Sequence, residues 1–299
     1  MTKQEKVLLS KAIQRELIKV EKKGYRIFYN ALKESAERVM PYYEQRGVMD
    51  TLFSLNVLLD PDPIAKAYEE FYSQAMTSLL VSNLRIMIRQ VGGKLNKDAI
   101  QDINIGFRSE EIIAQTADEA KKMGLGANIV KINDYTRALI KKEIEDGLAL
   151  NLTKDQIARN IKKVTEGTIS KMRALRIART ETTHANSKST KVLSNGIPFK
   201  QNKIWIPRLD GRERPEHGAM MGKPAIPKNE LFLVGGEYLE YPGDPNHGAS
   251  ASNNVNCRCS VHYIPIAPTE EEQAITERPS VLNYLRNLLK GLLLKIILN

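Results

Sequence analysis

The first half of the chain sets apolar residues at helical intervals among charged ones. Val7, Leu8, Ile13, Leu17, Ile18 and Val20 recur among Lys and Glu, which predicts an amphipathic helix continuing after Gly24 towards Met40. Pro41 punctuates that pattern. Asp60-Pro61-Asp62-Pro63 is a helix-start signal: Asp62 can cap, and Pro63 loses no needed hydrogen bond in a first turn. The helix it opens runs through Tyr68, Phe71, Met76, Leu79 and Ile86 to a stop at Gly92-Gly93. Shorter helices are predicted from Ser109 to Gly124 and from Asn133 to Gly147. Thr153 and Gln156 have the spacing of a capping box and open the helix that contains Ile157 and Ile161. One more long helix is predicted from Thr168 to Ser194.

After Gly196-Ile197-Pro198 the period shortens. Lys203–Pro207, Phe232–Val234 and Cys259–Ile264 read as short strands, separated by turns at Asp210-Gly211, Gly235-Gly236 and Tyr241-Pro242-Gly243-Asp244-Pro245. The expected fold class is therefore α+β. A mainly helical region, residues 1–165, precedes a compact α+β domain with short strands, residues 166–265, and residues 266–299 form a linker and tail. In that tail Leu282, Leu285, Leu288, Leu289 and Leu292 gather opposite Asn283, Arg286, Asn287 and Lys290. Such an amphipathic helix suits packing on its own protein, a partner helix or a membrane surface.

Composition narrows the class. With 299 residues, 42% of them hydrophobic and 27% charged, the chain can bury a core, and wholesale disorder is excluded. The net charge of +10 is unevenly spread: residues 170–263 hold 14 Lys and Arg against 8 Asp and Glu, whereas residues 1–169 hold 27 against 23. A basic domain suits a polyanionic partner, and it equally suits a soluble surface. Two Cys in a Cys-x-Cys spacing make no disulfide framework, so reduced thiols in a cytosolic compartment are expected. The charged start Met1-Thr2-Lys3-Gln4-Glu5-Lys6 has no signal-peptide pattern, and no apolar run reaches the roughly 18 residues of a membrane span.

The only Trp, all four His and both Cys fall between Arg173 and Tyr263, so chemistry is sought there. His217, Cys257 and Cys259 are suitable zinc ligands, with His247, His262 or Asp210 as a fourth. Their spacing is not that of a zinc finger. The alternative is a buried His217 bonded to a local carboxylate, with the two Cys as small core residues. Arg212 and Arg214 can fork onto a phosphate or a partner carboxylate, while Asp210 can cap its own turn and pair with one of them. Trp205 and Phe232 are expected in the core. A Cys–His hydrolase is weighed and set aside: nothing orders a third member, and no Gly-rich oxyanion motif is present. Glu237 and Glu240 have a spacing too common to mark a transferase, and no phosphate-binding Gly-x-x-x-x-Gly-Lys loop exists. No catalysis is expected.

In order, the block reads Arg176-x-x-Arg179-Thr180-Glu181, Gly196, Lys203-x-Trp205, Asp210-x-Arg212-x-Arg214-x-x-His217, Gly222, Phe232, Pro242-Gly243-Asp244-Pro245 and Asn256-Cys257-Arg258-Cys259. This series resembles the phage Mu F-like minor head proteins, also called phage head morphogenesis proteins, over about a third of the chain. The resemblance implies a low-copy virion protein in the capsid interior, assembled in the host cytoplasm beside the portal protein, scaffold or major capsid protein. It also implies non-specific contact with phage DNA and a role in genome release. Arg173, Arg176, Arg179 and Lys188 are then the candidate phosphate contacts, unless they pair with Glu181 and other acids of the domain. The alternative function is a metal-stabilised nucleic-acid-binding module acting outside a virion.

Overall fold

The computed structural model describes residues 1–58, 62–90, 126–168, 171–195 and 200–266. The expected helix at 109–124, the stop at Gly92-Gly93, the break at Gly196-Ile197-Pro198 and the tail helix lie outside those residues. The architecture is α+β, with helices first and short antiparallel strands after them.

Helix α1 spans Lys3–Glu37 and opens with a capping box: the Thr2 N–H donates to Glu5 Oε2 at 2.7 Å, and the Glu5 N–H to Thr2 Oγ1 at 3.2 Å. Pro41 does not break the chain's helicity; it sits in the first turn of α2, Val39–Arg46, where its missing N–H is harmless. Gly47, at a φ of +84°, turns the chain into α3, Val48–Leu58. Helix α4, Asp62–Gln90, has Pro63 in its first turn. Helices α5, Gly126–Ala149, and α6, Lys154–Thr168, follow. The box before α6 forms as expected, with the Thr153 N–H on Gln156 Oε1 at 2.7 Å and the Gln156 N–H on Thr153 Oγ1 at 3.3 Å. Helix α7 is Lys171–Asn195.

The described residues fall into two compact units, each discontinuous along the chain. One takes residues within 22–71 and 126–178, the other those within 1–21, 72–90 and 179–266. In the first, Val39, Tyr43, Leu55, Ile140, Ile144, Ile157 and Ile161 form one buried cluster. The four-residue spacing of the two Ile pairs puts each pair on one helix face, and burial of such a side chain contributes about 1.5–3 kcal/mol. Gly147 lets α5 and α6 close up: a Cβ there would lie 2.6 Å from Ile157 Cγ1. Phe28 packs against Tyr68 and Phe71 at ring distances of 5.0 and 5.3 Å.

The second unit holds the strands. Strand β1, Gln201–Ile206, is central, with β2, Ile226–Pro227, on one side and β5, Ser260–Pro265, on the other, all antiparallel. A hairpin of β3, Phe232–Val234, and β4, Glu237–Leu239, forms a separate two-stranded sheet. Trp205 pairs with Val261, and Lys203 with Tyr263. These side chains share one sheet face, because successive residues of a strand point to opposite faces. Trp205, Phe232, Val234, Leu239, Tyr241, Cys257, Cys259, Val261 and Tyr263 form the core on that face. Ile204, Ile206 and His262 are buried on the other, so both faces of this small sheet are covered. Lys203 is fully buried as well; its Nζ donates to the Glu240 carbonyl at 2.9 Å and lies 5.1 Å above the Phe232 ring. Burial lowers its pKa to about 8, against the pull of Glu240.

Candidate metal centre and basic pocket

The site is set in place by a helix face that is polar and buried. Along α7, Glu181, Thr183, Asn186, Ser187, Ser189 and Thr190 are all at most 2% exposed. Buried hydroxyls and amides need partners, and here the partners are the loops of the domain. Thr183 Oγ1 donates to the Cys257 carbonyl at 2.5 Å, Ser187 Oγ to the Pro242 carbonyl at 2.8 Å, and Thr180 Oγ1 accepts the Asn256 N–H at 2.9 Å. Asn83 of α4 donates to Asn186, Ser189 and Thr190 at 2.9–3.1 Å. The Tyr72 hydroxyl donates to Glu181 at 2.8 Å.

Those grips explain the two densest motifs. In Pro-Gly-Asp-Pro, Gly243 has a φ of +78°, and a Cβ on it would fall 2.4 Å from His184 Cδ2. Asp244 is fully buried and accepts the N–H groups of Glu240 and Asn246 at 2.7 and 2.8 Å, and His247 Nδ1 at 2.5 Å. In Asn-Cys-Arg-Cys, Asn256 adopts a φ of +60°, a left-handed conformation that Asn tolerates better than most residues. The turn sends Cys257 and Cys259 into the core and Arg258 outwards to Asp210.

His217 lies on α8, Pro215–Ala219, with Pro215 in the first turn. Its Nδ1 is 3.4 Å from Cys259 Sγ and 3.6 Å from Cys257 Sγ, and the three ligand atoms all lie within 4.8 Å of one another. Both thiols are free and buried. Asn253 of α9, Ala251–Asn254, holds the other ring nitrogen, with Oδ1 at 2.5 Å from His217 Nε2. Trp205 meets the imidazole edge-on at 5.5 Å. The Cys257 thiol is held well below its ordinary pKa, first by a hydrogen bond from Cys259 and then, against burial, by His217. Cys259 is pushed up by the same bond and by burial. Burial opposes charge on His217, but its contacts with Cys257 and Asn253 outweigh that and raise its pKa.

No fourth ligand joins this trio among the described residues. His247 is engaged with Asp244, and Asp210 is gripped by Arg258 at 2.6 and 3.2 Å and by Arg208 at 2.9 Å. His262 sits on the opposite sheet face, paired with Ile204. The carboxylate expected as a partner for His217 is replaced by the Asn253 amide.

Above the trio opens a pocket of about 270 Å³, open solvent included, walled by Arg208, Arg212, Glu213, Arg214 and Arg258. Asp210 serves its own turn, accepting the Arg212 N–H at 3.3 Å, but its ion pairs are with Arg208 and Arg258 in place of Arg212 or Arg214. Burial works against its charge, yet Arg258 and Arg208 hold its pKa low. Arg214 donates to the Val255 carbonyl at 2.6 Å, and the Arg212 side chain is exposed.

The helix cations lie elsewhere. Arg173 donates to Thr136 at 2.9 Å and covers the Tyr135 ring at 5.3 Å. Arg179 pairs with Glu21 at 2.9 Å, not with Glu181. Arg176 is exposed and Lys188 half-buried. Glu237 accepts from Ser250 and Asn253, and Glu240 from Lys191, so each acid has a structural partner.

His262 gives the domain a pH response. Burial pushes its pKa down to about 4 from 6.5. Between those values the unfolded chain binds a proton that the folded one refuses, so stability is present above 6.5 and lost as pH falls to 4. The full loss is roughly 3 kcal/mol. A His262→Phe variant is expected to lose less stability than the parent across that window, read from urea midpoints at each pH. Equal slopes would remove His262 as the cause. His184 and His217, whose pKa values are raised, are present in both proteins and drop out of the comparison.

A polar-gripped α+β domain around a buried His–Cys–Cys trio, with an arginine-walled pocket, is thus what the second half of the chain builds. Residues 138–262 match the family model described as Phage Mu protein F like protein. That match spans about two-fifths of the chain, and the pocket and the trio lie wholly within it. No curated protein and no solved structure matches the chain significantly.

Proposed function

We propose that the chain is a minor head protein of a phage, docking on the portal protein, scaffold or major capsid protein during procapsid assembly and working there without turnover. The observation that carries this reading is the Mu F-like match running through α7 and the strands as far as His262. Burial of both thiols and the interlocking of α7 with the loops support a rigid binding body. No helix among the described residues is long and apolar enough to cross a membrane. Retention in the head interior follows from the same docking.

Contact with packaged DNA is the second part of the proposal. The excess of basic residues between 170 and 263 supports it, and the exposed Arg176 and Arg212 are the side chains best placed for phosphate. Arg173, Arg179 and Arg214 are half-buried and are expected to contribute less. The test is co-sedimentation of purified protein with portal rings and with procapsids. Binding to either is expected; none at any ratio ends the docking proposal. On duplex DNA the expected result is weak, sequence-independent binding that fades as salt rises. Salt-independent or sequence-selective binding would favour the module acting outside a virion.

A further inference from the structure

Two sulfurs stand beside one ring nitrogen of His217. Asn253 Nδ2 donates to the Val234 carbonyl at 3.0 Å and to Glu237 Oε2 at 2.8 Å, which leaves the amide oxygen facing the imidazole. The proton of neutral His217 is therefore on Nε2, and Nδ1 presents a lone pair. Both sulfurs stand at nearly equal distances from that lone pair, 3.4 and 3.6 Å, as two ligands of one shared cation would. Nitrogen and sulfur bound tetrahedrally to zinc at their usual bond lengths stand about 3.5 Å apart. The orienting amide is the outer partner that a ligating imidazole ordinarily requires. The Cys259 N–H, 3.5 Å from Cys257 Sγ, supplies a donor to sulfur.

We propose that His217 Nδ1, Cys257 Sγ and Cys259 Sγ hold one zinc ion whose fourth position faces the arginine-walled pocket and takes an exchangeable anion. Two thiolates neutralise the ion, so the charge around the fourth position is set by the pocket. Four arginines wall it with Glu213, and with Asp210 and Glu21 paired to Arg208 and Arg258 the balance stays modestly cationic. His247, His262 and Asp210 are each committed elsewhere, so the fourth ligand comes from solution. The assignment is independent of the head-assembly role and stands or fails separately from it.

The experiment uses the full chain, purified without chelator and assayed for metal by mass spectrometry. About one zinc per chain is expected. After stripping, titration with cobalt(II) should give a thiolate-to-metal charge-transfer band and the intense visible bands of a tetrahedral site. Azide should shift those visible bands. Cys257→Ser and Cys259→Ser should each lose the cobalt spectrum, and His247→Gln should keep it. A protein that binds neither metal while its Trp205 emission stays that of a buried indole overturns the site. A cobalt spectrum that azide leaves unmoved, or that His247→Gln abolishes, overturns the open fourth position.

Discussion

A chain that begins at Lys22 is expected to lose the native fold of the strand-bearing unit, although the deleted residues lie far outside the stretch that matches the family model. The first turns of α1 belong to the same compact unit as the strands. Leu9, Ile13, Leu17 and Val20 are 3–6% exposed. At about 1.5–3 kcal/mol each, their burial contributes roughly 6–12 kcal/mol before entropy, comparable with the whole stability of a domain. A polar stripe beside them is equally committed. Lys6 Nζ donates to the Met221 and Lys223 carbonyls at 3.0 and 2.5 Å, Ser10 to Pro207 at 2.8 Å, and Gln14 to Arg258 at 3.0 Å. Glu21 faces Arg179 at 2.9 Å and Arg208 at 3.8 Å. Deletion strands these groups, each at about 1–3 kcal/mol where burial persists. The sole Trp reports the outcome: Trp205 emission should shift red to that of exposed indole, and the cooperative urea transition should vanish. A truncated chain with buried-indole emission and an unchanged midpoint would show α1 to be dispensable.

That dependence marks where sequence reasoning ran out. Periodicity identified the helical faces, because Ile157 and Ile161 bury whatever they pack against, and the Thr153–Gln156 box is a local device visible in four residues. Pairing of distant segments leaves no such mark: nothing in the spacing of Glu21 announces Arg179 as its partner. Strands β2 and β4 were missed because two or three residues carry no alternation. Helix α7 misled in the opposite direction. Its Thr, Ser and Asn carry no apolar periodicity, yet Thr183, Ser187 and Thr190 are buried because loop carbonyls and Asn83 satisfy them. The trio at His217 was legible because His and Cys are scarce here. Asn253, which orients it, was not, since an Asn among Ser and Ala is ordinary. The alternative to a metal puts a carboxylate in its place.

Trp205→Ala is expected to cost about 3–5 kcal/mol, the range for emptying a large aromatic from a packed core. Trp205 is 1% exposed near the end of β1, with Val261 opposite it, and its ring meets Phe232 and His217 edge-on, both at 5.5 Å. Such edge contacts add about 0.5–1.5 kcal/mol beyond the area buried, so the loss belongs in the upper part of the range. Both sheet faces are covered, and the helix-gripped loops limit how far the walls can collapse into the void. Trp205→Phe keeps a ring against Phe232 and His217 and should recover more than half of the loss. The readout is the urea midpoint by circular dichroism, since the variants lack the fluorophore. The indole N–H also favours the Cys259 thiolate, so the penalty contains a small polar part beside the packing. A loss under about 1 kcal/mol would mean that the core re-closes without Trp205. The sheet would then owe its position to the polar grip of α7 alone.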